Sequence, residues 1–108
     1  MSFKKDLEEN IKILAEMHNE RKDRWILRFV PQPYRLNNHL LFSCVYRKPR
    51  KISKGTNWLI YRNCGQILWC QNKYKFEGVE NYGLGEKELH EIAHFLHAIR
   101  EVTMDKNE

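Results

Sequence analysis

Apolar residues recur every three or four positions at the start of the chain: Phe3, Leu7, Ile11, Leu14 and Met17, with Lys, Asp and Glu between them. This is the period of an amphipathic helix, and it predicts one from residue 3 to about 22 within an N-terminal segment 1–23. Ser2 suits the N-cap. Asp6, Glu8 and Glu9 lie toward the positive end of the helix dipole, and Arg21, Lys22 and Arg24 toward the negative end. The period then shortens. Residues 25–30 (WILRFV) are aromatic and β-branched and predict a strand, which Pro31 and Pro33 are expected to stop because neither can donate a ladder hydrogen bond. Asn37 and Asn38 predict a turn, residues 39–47 a second strand, 57–63 a third and 66–72 a fourth. Cys64-Gly65 is expected to form a tight turn between the last two. Residues 73–76 either prolong the fourth strand or form a fifth, Gly78, Gly83 and Gly85 mark a loop, and 86–102 predict a second helix before a polar tail, 103–108.

The expected fold is therefore α+β in one domain, 1–108: a helix, an antiparallel meander of four or five strands within 24–76, and a helix. A chain of 108 residues supports one core, and 13 aromatics in a composition that is 42% hydrophobic support a folded globule. No apolar run reaches membrane-spanning length, and the N-terminus has no apolar signal core, so the default expectation is a cytoplasmic protein without a membrane partner. Three cysteines, Cys44, Cys64 and Cys70, without C-x-x-C spacing fit reduced thiols, and a turn at Cys64-Gly65 would bring Cys64 and Cys70 close together.

One segment carries the form of a catalytic motif. Residues 90–97 read HEIAHFLH, and their first five letters match the H-E-x-x-H signature of zinc peptidases. At 100° per residue, Leu89, Ile92, Ala93, Leu96 and Ile99 share a stripe expected to face the core. His90, His94 and His97 share a neighbouring stripe able to offer imidazoles to a metal, and Glu91 points away from both. Against a peptidase, His97 and Arg100 occupy the glycine and third-histidine positions of the metzincin extension. A further ligand would have to come from upstream, from His39 or Cys70. A helix whose histidines border the sheet or face solvent is the plainer expectation, with a zinc site on His90, His94 and His97 as the alternative. A pH-sensitive interface is a third use of the same stripe.

Charge changes the picture more. The net charge is +5 and the pI about 9.2. Residues 46–55 (YRKPRKISKG) hold five cations and no acid, in a stretch expected to form an exposed loop, 47–55, between strands. Arg47, Lys48, Arg50, Lys51 and Lys54 suit phosphate contacts. Trp58 and Tyr61 are candidates for base stacking, Arg62 lies beside them, and Arg28, Arg35, Lys73 and Lys75 add charge near strand ends. The leading expectation is a small, basic, non-enzymatic nucleic-acid-binding or nucleic-acid-associated regulatory protein needing no cofactor. An inhibitor or adaptor would use the same loop and a free sheet edge to engage an acidic surface on a larger protein. A zinc-dependent hydrolase, with Glu91 as base, is the third reading.

Overall fold

The computed structural model describes residues 3–21, 23–48, 50–51, 59–60, 62–79 and 83–106. Helix α1 (Phe3–Glu20) leads into β1 (Leu27–Leu36) and β2 (His39–Tyr46). A short ribbon follows, β3 (Arg50–Lys51) paired with β4 (Leu59–Ile60). Then come β5 (Asn63–Cys70), β6 (Lys73–Gly78) and helix α2 (Glu86–Lys106). The main sheet is antiparallel in the order β1-β2-β5-β6, so sequential strands are neighbours once the ribbon is set aside. The fold is the expected α+β arrangement of helix, four-stranded antiparallel sheet and helix.

Both helices cover one face. Ile11 and Ala15 of α1 and Ile92, Phe95 and Ile99 of α2 close over Leu27, Phe29, Leu40, Phe42, Cys44, Cys64 and Ile67. Phe95 sits at the centre, stacked on Phe29 at 4.2 Å between centroids and edge-on to Phe42 at 5.5 Å, an arrangement favoured by the ring quadrupoles.

Three expectations are corrected here. Strand β1 does not stop at Pro31 but runs on to Leu36, with a register irregularity between Pro31 and Arg35. It is an edge strand, where a proline can face outward and lacks nothing the ladder needs. The tight turn is not at Cys64-Gly65. Both residues lie inside β5, and the two-residue hairpin turn is Gln71-Asn72, with φ of 53° and 65°, matching Asn37-Asn38 at 52° and 64°. Gly65 serves close approach instead: a Cβ there would come within 2.6 Å of the Phe76 ring and 2.5 Å of the Glu77 carbonyl oxygen. Cys64 is the extra residue of a bulge, since Cys44 pairs with Gly65 and Val45 with Asn63. Its sulfur consequently lies 3.2 Å from that of Cys44, in the core, while Cys70 is exposed. The expected third strand, 57–63, also differs: Leu59 and Ile60 are in a strand but pair with Lys51 and Arg50 in the ribbon, Asn63 opens β5, and residues 57, 58 and 61 lie outside the described residues.

Candidate functional site

The helix bearing HEIAH buries a stripe rotated toward Glu91 and Phe95 from the one its spacing suggested, keeping Ile92, Ile99 and, in part, Leu96. Leu89 is 51% exposed and Ala93 is exposed, whereas Glu91, Ile92, Phe95 and Ile99 are buried. The glutamate at the centre of the motif is thus turned inward, 3% exposed. Its two oxygens accept hydrogen bonds from the backbone N–H groups of Ile26 at 2.7 Å and Leu27 at 2.9 Å. A buried carboxyl group is tolerable only with such partners, and here each oxygen has one backbone donor. His18 completes the arrangement. Its Nε2 lies 3.0 Å from the Leu27 carbonyl, to which the neutral tautomer donates.

Burial lowers the His18 pKa from 6.5 to about 4. Arg47, His94 and Arg21 reinforce the shift and the Leu27 carbonyl opposes it. Glu91 Oε1 is also 3.6 Å from His18 Nε2. The carboxylate is already engaged by two N–H groups, so burial prevails and the ring stays neutral near pH 7.

The three motif histidines are exposed and differently occupied. His94 packs beside Trp25 at 5.3 Å between centroids, His97 pairs with Glu101 at 3.0 Å and contacts Arg100, and His90 lies on the surface. Among the described residues no group of three or more His, Cys, Asp or Glu side chains is placed to hold a metal. Glu91, the would-be base of a hydrolase, is committed to the backbone of β1.

The basic candidates separate in the same way. Arg47 is half-buried, and its guanidinium donates to three carbonyls: Nε to Trp25 at 2.9 Å, one terminal nitrogen to Asn19 at 2.7 Å and the other to His18 at 2.9 Å. His18 and Asn19 belong to the last turn of α1, whose carbonyls have no partner within the helix, so Arg47 caps α1 against its dipole. It retains two of its five N–H donors. Arg35, expected to add free charge, is instead paired with the buried Glu8 carboxylate, which also accepts from Leu40 N–H at 3.1 Å. Lys48 and Arg62 are exposed, and the Arg62 carbonyl accepts from Tyr46 N–H at 2.9 Å. Arg50 and Lys51 lie on the ribbon, while Lys54, Trp58 and Tyr61 fall outside the described residues.

Sequence spacing did not reveal that Arg24 and Arg28 join Arg47 and Lys48. Together with Asp23, Trp25 and Tyr46 they line a groove of about 930 Å³ between the end of α1 and β1. Burial, and then the neighbouring Arg28 charge, lower the pKa of Arg47, as expected for cations crowded into one groove. The aromatic partner there is not free to stack a base: Trp25 already stacks on His18 at 5.0 Å and carries the Arg24 guanidinium 5.1 Å from its ring. With Trp25 so occupied, the groove offers mainly charge and hydrogen-bond donors. No family model, curated protein or solved structure matches the chain. No helix of the described residues is long and apolar enough to cross a membrane.

Proposed function

We propose that the protein binds nucleic acid through its phosphate backbone, with the groove of Arg24, Arg28, Arg47 and Lys48 as the primary contact. The observation that carries this reading is that four cations and a single carboxylate, Asp23, surround one open groove. Phosphate contacts of this kind give affinity without sequence preference. Past Pro49, Arg50 and Lys51 lie in the ribbon, residues 47–54 hold five cations in sequence, and Arg62 adds to them. Trp58 and Tyr61 remain the stacking candidates for an unpaired base. A cytoplasmic regulatory role accords with free thiols and a basic surface.

The test is a salt series of fluorescence anisotropy with single- and double-stranded oligonucleotides. Arg24→Ala with Lys48→Ala is the informative variant, because Arg47 is needed to cap α1. We expect about tenfold weaker binding at low salt, and a salt slope shallower by roughly one to two units. Salt-independent binding, or an unchanged slope in the double variant, sinks the reading.

A further inference from the structure

We propose that the open edge of β6 is a docking site for an extended, acidic segment of a partner protein, which joins the sheet as an added strand beside α2. This rests on a surface separate from the cationic groove and does not depend on the nucleic-acid reading.

Strand β6 pairs with β5 on one side and, among the described residues, with no strand on the other. A two-residue turn at Gln71-Asn72 makes Cys70 and Lys73 a hydrogen-bonded pair. By the antiparallel alternation, the backbone N–H and C=O groups of Tyr74 and Phe76 then point outward. Along this edge runs a groove of about 810 Å³. Trp69, Tyr74 and Phe76 line it from the sheet and Leu96 from α2, giving it an apolar lining. Arg100 supplies charge from α2, Lys73 and Lys75 border it from the strand edge, and no Asp or Glu lines it.

Those features define the occupant. An added strand presents alternate side chains to opposite faces. One set would enter the apolar groove against Tyr74, Phe76 and Leu96, and the other would lie beside Lys73 and Lys75, which occupy the opposite face of β6. Apolar residues alternating with Glu or Asp satisfy both. A second copy of this chain is the competing occupant, since an antiparallel β6–β6 pair can set Glu77 of one strand opposite a lysine of the other, and the oligomeric state decides between the two.

The probe is a fluorescein-labelled peptide of alternating Glu and Val, titrated by anisotropy. Three controls accompany it: the same peptide N-methylated at alternate amides, its Lys-Val counterpart, and the Lys73→Glu, Lys75→Glu double variant, both positions lying outside the core, with its fold checked by circular dichroism. We expect the Glu-Val peptide to bind and the N-methylated peptide to bind about tenfold more weakly or not at all. The charge-reversed protein should lose at least about as much. Backbone amide resonances of Tyr74 and Phe76 should shift on binding, and Arg24→Ala with Lys48→Ala should leave peptide affinity unchanged.

No binding at about 1 mM peptide, or equal binding after N-methylation, overturns the proposal. So does displacement of the peptide by a single-stranded oligonucleotide from the variant lacking Arg24 and Lys48, which would make this groove a polyanion site. A chain that dimerises with the Tyr74 and Phe76 amides protected overturns it in favour of self-association.

Discussion

The two edges of the sheet are finished in opposite ways. Over the first part of β1, at Leu27 and Phe29, side chains meet the outward backbone groups. Asn19 gives and takes a hydrogen bond with Phe29, at 2.8 and 2.9 Å, as a neighbouring strand would. Glu91 accepts from Leu27 N–H and Ile26 N–H, His18 meets the Leu27 carbonyl, and Pro31 has no N–H to offer. On β6, Tyr74 and Phe76 face a groove with no strand against them among the described residues. An unpaired edge invites another chain, and proteins usually blunt it. Here one edge is blunted by helix side chains, and the other is left with two lysines and an aromatic lining. The first edge holds the helices to the sheet, and the second is available to bind.

The sharpest way to break this contrast is Glu91→Ala. Removing the carboxylate strands two N–H groups, one of them fully buried, and each such loss costs about 1–3 kcal/mol. We expect roughly 3–5 kcal/mol of destabilisation by urea unfolding, with part of it recovered in Glu91→Gln, which keeps one acceptor. A change below about 1 kcal/mol would mean that water replaces the carboxylate and that the β1 edge is not closed by it.

That role for Glu91 was not legible in the sequence, and the reason is physical. Its partners lie 65 and 64 positions away, so no local spacing encodes them. The helical period placed the apolar stripe by assuming that an acid faces water, which holds unless backbone donors wait in the core. Arg47 misled similarly: within residues 46–55 it looks like its neighbours, and only the approach of α1 makes it a cap. What could be read were features with local causes, namely the amphipathic α1, the Asn37-Asn38 hairpin and the order of helix, sheet and helix. Pro31 and Pro33 signal an edge strand as well as a stop, and only the position of β1 in the sheet separates the two. Gln71-Asn72 lacked the glycine that marks such turns, while Gly65 had one for a packing reason. Arg24 and Arg28, in different local settings, gave no sign that they share a groove with Lys48.

The closed edge also predicts a pH dependence. His18 has a native pKa of about 4 against 6.5 when unfolded, because burial and nearby positive charge disfavour its protonated form. Between these values the unfolded chain takes up a proton that the native state refuses. Stability contributed by neutral His18 is therefore complete above about pH 6.5 and falls as the pH drops toward 4. The loss should reach roughly 2–3 kcal/mol, read as the difference between wild type and His18→Gln in urea unfolding from pH 7 to 4. Identical pH profiles for the two proteins would show that the His18 contact with β1 does not depend on its charge state.

At the open edge the same kind of substitution should cost almost nothing. Lys75 contacts the Gln71 side chain at the surface, where a flexible ammonium exchanges one hydrogen bond for another with water. Lys75→Ala should change stability by less than about 0.5 kcal/mol, within the usual range for surface positions. A larger loss would mean that the lysine stabilises the β5–β6 hairpin, and the edge would then be a finished structural element like β1. If the loss is as small as expected, the positive charge at position 75 contributes nothing that folding requires. That charge is then available to a partner strand at this edge, a role that the closed edge of β1 does not offer.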